Sequence, residues 1–163
     1  MALPNVEVLA LEIANCLRDR GETISVAESS SGGLVSAALL AVPGASAYFL
    51  GGSVVYTRPA KNTLLAVPDA ILDEYRSASE PHALALARAA RERLGVDWGL
   101  AETGAAGPTG NRYGDAAGHT CIAISGAAEI VRTIETEDDD RAANMARFTK
   151  AALGLAAEII KAS

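Results

Sequence analysis

The sequence predicts an α/β domain in which a mixed β-sheet lies between helices. Segments with the apolar spacing of helices alternate with short β-prone segments along most of the chain. Serine- or glycine-rich turns directly follow two of the β-prone segments, as in strand–turn–helix units. Near the C-terminal end, two β-prone segments are separated by Gly126, which favours an antiparallel hairpin. The 163 residues fit one domain, 1–163, because a domain holds about 150 residues.

The individual elements are predicted from apolar periodicity and from the residues that start and stop each segment. In chain order they are a helix from Val6 that Gly21 ends, a strand over 23–27, a helix over 34–42, a strand over 51–57, a helical turn or two over 61–67, a short helix over 69–75, an alanine-rich helix from Ser79 to about Gly95, strands over 97–103, 119–125 and 129–136, and a long C-terminal helix that includes 145–159. Ser79 is the expected N-cap of the alanine-rich helix, with Pro81 in its first turn. The acidic segment 137–140 is expected to cap the last helix and complement its dipole rather than hold a metal.

Composition and charge exclude several classes of protein. Half of the residues are hydrophobic and 21% are charged, which is unlike a disordered chain. The net charge of −6 argues against broad contact with nucleic acid or an anionic membrane, so any phosphate must be recognised by local groups. No apolar run approaches the ~18 residues of a membrane span, and the first residues lack the basic segment of a secretory leader, so a cytoplasmic location is expected.

The cysteines and histidines give little support to a disulfide or a metal site. Cys16 and Cys121 lie in apolar periodic segments and are expected to be free thiols in a reducing compartment. His82 and His119 have no cysteine or second histidine at ligand spacing. We therefore expect no metal.

Two loops of small residues follow predicted strands, at the sheet edge where open α/β sheets bind ligands. In the first, segment 28–33 (ESSSGG), backbone amides at a helix N-terminus are placed to receive an anion or a developing oxyanion, and a serine-rich helix cap is the alternative. The second, 104–110, has glycines that could wrap a phosphate, and a plain turn between strands is the alternative. No lysine follows Gly110, which excludes a P-loop. A pairing of Ser29 with Lys61 as its base is chemically feasible, but a solvated surface lysine is equally compatible with the spacing.

At these residues the chain resembles the CinA C-terminal domain family, the nicotinamide mononucleotide deamidases. The family pattern A-E-S-C-T-G-G is similar to Ala27–Gly33 in this sequence. Other similar segments follow in the family's order, namely 44–49 (GASAYF), 52–61 with Tyr56, Ala60 and Lys61, 79–81 (SEP), 103–108 (TGAAGP), Gly118, and Asp140 with Arg141. The resemblance is collinear and covers nearly the whole chain.

The resemblance implies a three-layer α/β/α domain that hydrolyses the carboxamide of nicotinamide mononucleotide, giving nicotinic acid mononucleotide and ammonia. It implies Ser29 as nucleophile and Lys61 as base, with Tyr56 and Thr103 shaping the pocket and Arg141 holding the phosphate. No cofactor is required, and the expected partner is a small pyridine mononucleotide. The full set of expected substrate-binding residues is Ser31, Gly32, Gly33, Tyr56, Thr103, Gly104, Gly107, Arg112 and Arg141.

The chain also departs from the family pattern. Ser30 and Ser31 replace the cysteine and threonine of the first motif, and Glu102 occupies a strand position that is usually small or apolar. Segment 111–119 lacks the family's lysine and proline, and its Arg112 and His119 are candidates to replace a lost phosphate contact. This segment leaves open two other functions, a nucleotide-binding module without turnover and a hydrolase of a related small amide. A homodimer is also left open, because alanine-rich helical faces suit packing either between or within subunits.

Overall fold

The computed structural model describes residues 5–163, and its elements follow the order predicted from the sequence. In chain order they are α1 (Val6–Arg20), β1 (Ile24–Glu28), α2 (Leu34–Leu40), a single turn of 3-10 helix (Ala45–Ala47), β2 (Phe49–Val54), α3 (Arg58–Leu65), α4 (Asp69–Glu74), α5 (Glu80–Leu94), β3 (Trp98–Ala105), β4 (His119–Ser125), β5 (Glu129–Glu135) and α6 (Arg141–Ala162). The predicted α/β class is confirmed.

The five strands form one mixed sheet in the order β2-β1-β3-β4-β5. β2, β1 and β3 are parallel, whereas β4 is antiparallel to both of its neighbours. Ala27 pairs with Ala101, so the serine loop that follows β1 lies beside the last residues of β3. The carboxyl ends of β1, β2 and β3 therefore meet at one edge of the sheet, which is where α/β sheets bind ligands.

Helices cover both faces of the sheet and give the three-layer arrangement. α1, α2 and α6 pack on one face over a large apolar core that includes Leu100 and Ile122. α5 packs on the other face over Ala101 and Ala123, and α3 adds Leu65 to that core. Adjacent strand residues face opposite sides of the sheet. One face thus carries large aliphatic side chains and the other carries mainly alanine.

The alanine face lets α5 lie very close to the sheet. A Cβ on Gly99 would lie 2.0 Å from the carbonyl oxygen of Ala87 in α5, so the backbones meet where neither residue has a large side chain. Close approach through small residues explains how a chain with only 4% aromatic residues fills its interior.

The predicted helix caps are confirmed. Gly21 ends α1 in the left-handed conformation, at φ 65°. The Ser79 hydroxyl accepts a hydrogen bond from the amide of His82 at 3.4 Å at the start of α5. Asp140 caps α6 by accepting from the Ala143 amide at 3.0 Å, which is the role expected of the acidic segment.

Several boundaries differ from the prediction by one or two residues, and the largest differences lie at β2 and α3. The strand expected over 51–57 is β2, Phe49–Val54, and the following helix begins at Arg58 rather than at 61. Pro59 favours the earlier helix start, because its fixed φ suits the first turn of a helix. This places Tyr56 in the short connection between β2 and α3.

Cys16 and Cys121 are free thiols, as expected. Within residues 5–163, no helix combines the length and the apolar character needed to cross a bilayer.

Candidate functional site

Two buried carboxylates organise the serine loop after β1. Glu28 accepts hydrogen bonds from the amides of Gly33, Val35 and Ser36 at 3.1, 2.8 and 2.9 Å. Glu102 accepts from the amides of Ser29 and Ser31 at 3.2 and 2.8 Å, and from the hydroxyls of Ser30, Ser31 and Thr120. The Ser31 hydroxyl lies 2.9 Å from Glu28 and 2.8 Å from Glu102, so its single proton serves one of them at a time.

This arrangement corrects the expectation that the amides of Ser29, Ser31 and Gly33 receive a substrate anion. These three amides already donate to the protein's own carboxylates, as do two amides of α2, and both Glu28 and Glu102 are fully buried. A buried carboxylate needs several donors to replace water, and the loop supplies them. The alternative, a serine-rich helix cap, is also wrong, because the N-cap of α2 is Gly33 and the first amides of the helix donate to Glu28 rather than to a serine hydroxyl. Ser31 and Gly33 act in it by holding the loop in place.

Lys61 is a buried amine that lines a small polar cavity. It lies on α3 with 4% of its surface exposed, and its Nζ donates to the hydroxyl of Ser77 at 3.3 Å. Burial, with a smaller contribution from the charge of Arg58, lowers the pKa of the Lys61 amine. The sequence alternative of a solvated surface lysine is therefore wrong. The cavity has a volume of about 210 Å³ and is lined by Tyr56, Arg58, Lys61, Leu72, Ser77, His82, Arg112 and Tyr113.

The structure does not join Ser29 to Lys61 by a hydrogen bond. Within residues 5–163, the Ser29 hydroxyl has no hydrogen-bond partner, while Lys61 uses Ser77. Ser29 is 6% exposed at the carboxyl end of β1, outside the residues that line the Lys61 cavity. Sequence reasoning missed Ser77, which lies in the loop between α4 and α5.

Arg141 connects two of the predicted site segments. It lies at the start of α6, donates to the Tyr56 hydroxyl at 3.0 Å and also donates to the carbonyl oxygen of Gly107. Arg141 and Tyr56 are both exposed. A guanidinium thus bridges the β2–α3 connection and the glycine loop, and one of its partners, Tyr56, lines the Lys61 cavity.

Segment 111–119, which departs from the family pattern, is fixed against the Lys61 cavity. Arg76 donates to Asp115 at 2.7 and 3.3 Å, and Asn111 donates to Asp115 at 2.7 Å. Burial would raise the pKa of Asp115, but these hydrogen bonds outweigh it and lower the pKa. Arg112 lies 4.9 Å from the centre of the Tyr113 ring, and both residues line the cavity. The candidate role of Arg112 at the site fits this position.

The other candidate in that segment, His119, does not line the cavity. It is buried, with Nδ1 on the carboxylate of Glu135 and Nε2 2.8 Å from the carbonyl oxygen of Ala78. Burial alone would lower the pKa of His119, but Glu135 and the Ala78 carbonyl outweigh it and raise the pKa. The proposal that His119 contacts phosphate is therefore wrong, because both ring nitrogens already have protein partners.

Several predicted binding residues have visible packing roles. The Thr103 hydroxyl is buried and accepts from the amide of Ala78 at 3.2 Å, which holds the loop that carries Ser77. A Cβ on Gly104 would lie 2.5 Å from the His119 carbonyl oxygen, and one on Gly32 would lie 2.9 Å from Met145. Gly107 has φ +114° and lies against Asp139. Their contact with substrate stays a prediction.

Comparison with known proteins identifies the family and the fold. The model of the CinA C-terminal domain matches residues 6–160. The chain belongs to the CinA C-terminal domain family. It is 44% identical over 120 residues to a CinA-like protein of Synechococcus sp. (strain CC9902), covering 74% of this chain and 29% of that protein. It is 42% identical over 125 residues to a putative competence-damage inducible protein of Desulforudis audaxviator (strain MP104C), covering 77% and 30%. The chain thus spans about a third or less of the length of these relatives.

Solved structures show the same fold. A CinA superfamily protein of Klebsiella pneumoniae 700603 matches with a TM-score of 0.90 and 26% identity, covering 98% of this chain and 99% of that chain. The competence/damage inducible protein CihA of Agrobacterium tumefaciens matches with a TM-score of 0.87 and 30% identity, covering 95% and 96%. These structures confirm the family and fold implied by the sequence motifs.

Proposed function

We propose that this chain is an amidohydrolase that converts nicotinamide mononucleotide to nicotinic acid mononucleotide and ammonia. The observation that carries the proposal is Lys61, a buried amine whose pKa is lowered and which lines a polar cavity. A desolvated lysine is able to act as a general base because a larger fraction of it is unprotonated at a given pH than of an exposed lysine. Tyr56 and Arg112 line the same cavity and supply donors for the oxygen of an amide.

In the proposed reaction, Ser29 is the nucleophile and Lys61 moves the proton. The Ser29 oxygen attacks the carboxamide carbon while its proton passes to the Lys61 amine. That proton then passes to the amide nitrogen, which leaves as ammonia when the carbon–nitrogen bond breaks. Water, deprotonated by Lys61, hydrolyses the resulting ester to the acid and restores the Ser29 hydroxyl. The first proton transfer requires the Lys61 side chain to leave its hydrogen bond with the Ser77 hydroxyl and to form one with the Ser29 hydroxyl.

The reaction and its nucleophile are tested together. The purified chain is incubated with nicotinamide mononucleotide, and nicotinic acid mononucleotide is measured by chromatography for the parent, Ser29→Ala and Ser77→Ala. We expect the parent to form product, Ser29→Ala to lose turnover at least a thousandfold, and Ser77→Ala to retain most of it. If Ser77→Ala loses turnover and Ser29→Ala retains it, the nucleophile is Ser77 rather than Ser29.

The other two functions correspond to different outcomes of this experiment. Tight binding of the mononucleotide by the parent without product would support a binding module. Release of ammonia from other small amides, but not from this one, would support a hydrolase with another substrate. Segment 111–119 bears on both of these functions, because its Arg112 and Tyr113 line the cavity.

Arg141 is proposed to hold the 5′-phosphate. Its guanidinium is exposed and donates to Tyr56, which lines the cavity, and charge-assisted hydrogen bonds from a guanidinium to phosphate are strong. We expect Arg141→Ala to raise KM for the mononucleotide about tenfold to a hundredfold and to leave KM for the dephosphorylated riboside unchanged. Steady-state kinetics on the two substrates check this, and equal losses on both would contradict a phosphate role.

A further inference from the structure

His82 brings an unused hydrogen-bond acceptor to the Lys61 cavity. It lies in the first turn of α5, is 2% exposed, and is one of the residues that line the cavity with Lys61 and Ser77. None of the sequence motifs assigned it a role. Its surroundings nevertheless determine which of its two ring nitrogens is available.

The protonation of the ring is set by its backbone contact. Nδ1 lies 2.9 Å from the carbonyl oxygen of Tyr75. A carbonyl oxygen only accepts hydrogen bonds, so Nδ1 carries the proton and donates it. In the neutral ring, Nε2 is then left with a lone pair and no proton. His82, a residue that lines the cavity, therefore carries an acceptor at Nε2.

That acceptor has no partner within residues 5–163. The His82 Nε2 is the one buried side-chain nitrogen or oxygen atom in this part of the chain that lacks a hydrogen bond. Burial, together with the nearby charge of Lys61, lowers the pKa of His82 to about 4, so the ring stays neutral at physiological pH. Leaving a buried acceptor unpaired is unfavourable, and a ligand that brings an N–H group removes this cost.

The remaining polar groups of the cavity are mainly donors. The Lys61 amine, the Arg112 guanidinium and the Ser77 hydroxyl all have protons to donate, whereas His82 Nε2 can only accept. A ligand that matches this set has an acceptor oxygen and an N–H donor a few ångströms apart. A primary carboxamide has this pattern, with its oxygen and its NH2 group on one carbon.

We propose that Nε2 of His82 accepts a hydrogen bond from the carboxamide NH2 group of the substrate and so distinguishes the amide from the acid product. This inference rests on the proposed function, because it assigns a group of that substrate to one atom of the cavity. The acid formed by hydrolysis is a carboxylate at neutral pH and has no proton to donate. Its second oxygen would face the lone pair of Nε2, which disfavours the bound product and favours its release.

The kinetic test compares the parent with two variants of His82. We expect His82→Leu, which has no acceptor, to lower kcat/KM for nicotinamide mononucleotide about tenfold and to leave inhibition by nicotinic acid mononucleotide unchanged or stronger. His82→Gln keeps a carbonyl oxygen that can accept, and we expect it to recover much of the loss. The inference would be overturned if His82→Leu changed neither kcat/KM for the amide nor its ratio to the inhibition by the acid. This holds even if the parent shows full turnover.

A spectroscopic test separates hydrogen bonding from a packing role. Imidazole ¹⁵N signals are recorded with the amide and with the acid mononucleotide. If the parent turns the amide over, the inactive Ser29→Ala variant is used in its place. The amide should shift the Nε2 signal of His82 towards that of a hydrogen-bonded acceptor, and the acid should not. His119 is the matched control, because it is also buried but both of its nitrogens have partners.

The two experiments distinguish failure of the inference from failure of the proposed function. A shift of the His82 signal by the amide alone, in a chain without turnover, would support the inference and contradict the deamidase. Turnover without a shift of the His82 signal would support the deamidase and contradict the inference. If the amide neither turns over nor shifts the signal, both are overturned.

Discussion

At Lys61, burial and electrostatic repulsion act in the same direction on one amine. Removal from water disfavours the ammonium form, and the positive charge of Arg58 disfavours it further, so the pKa of Lys61 is lowered from its usual value of 10.5. The active form of a base is the unprotonated one. Activity is thus expected to rise with pH as Lys61 loses its proton, and to do so at lower pH than an exposed lysine would allow.

The contribution of Arg58 is testable by removing its charge. We expect Arg58→Gln to raise the pKa of Lys61 part of the way towards 10.5, because burial, the larger cause, remains. The rise of kcat/KM with pH should therefore move to higher pH, as measured by steady-state kinetics over a pH series. Arg88→Gln is the matched control, since Arg88 is exposed and paired with Glu129 outside the cavity. An unchanged profile in Arg58→Gln, or an equal shift in Arg88→Gln, would contradict this account of Lys61.

His82 affects the stability of the protein at acidic pH. Its pKa is about 4 in the folded protein and near 6.5 when unfolded, so the unfolded chain binds the proton more readily between these values. We expect the protein to lose stability as the pH falls from 6.5 to 4, with His82 contributing up to about 3 kcal/mol of the loss. Urea unfolding at several pH values checks this. If His82→Leu shows the same acid dependence as the parent, the buried neutral ring is not the cause.

At the scale of elements, the serine loop depends on a carboxylate from another strand. Glu102 on β3 accepts from two amides and three hydroxyls, four of these donors being in the loop after β1. We expect Glu102→Ala to lower the free energy of unfolding by more than about 3 kcal/mol, because several buried donors lose their acceptor. Denaturant unfolding measures the loss, and Glu102→Gln, which retains one oxygen, should lie between.

The control for this prediction is Glu158→Ala. Glu158 is exposed and paired with Arg132, and exposed ion pairs contribute roughly 0–1 kcal/mol. A loss for Glu102→Ala as small as that for Glu158→Ala would show that the carboxylate does not hold the loop.

The elements themselves were predictable from the sequence because their signals are local. Gly21, Ser79 and Asp140 cap helices through groups within a few residues, and apolar periodicity needs only a short window. The site was less predictable, because its key contacts join distant residues. Glu102 and Ser29 are 73 positions apart, and Arg76 and Asp115 are 39 apart. Only the sheet register and the loop packing bring them together.

At the scale of the whole molecule, the edge strand β2 exposes apolar side chains. β2 pairs on one side only, with β1, and Leu50 and Val54 are 48% and 44% exposed. Leu94, at the end of α5, is also half exposed and lines a groove with Leu50. Unpaired, apolar strand edges favour association with another chain. The homodimer left open by the sequence is therefore predicted to use this edge.

Sedimentation velocity checks that prediction. We expect a species of about twice the 16.7 kDa chain mass, and we expect Leu50→Lys to convert it to a monomer by placing a charge on the edge. Val8→Lys, at an exposed position on α1, should leave the mass unchanged. A parent that sediments as a monomer at every concentration, or a dimer that Leu50→Lys leaves intact, would contradict the use of this edge.

Ammonia release shows whether the buried amine of Lys61 carries the proposed amide hydrolysis. Ammonia formed from nicotinamide mononucleotide is measured for the parent, for Lys61→Met, which keeps the length of the side chain without its amine, and for Lys150→Met, which changes an exposed lysine of α6. We predict that the parent and Lys150→Met release ammonia in step with the acid product, whereas Lys61→Met stays folded and releases none. Most of the parental rate in a folded Lys61→Met would contradict the proposed role of Lys61.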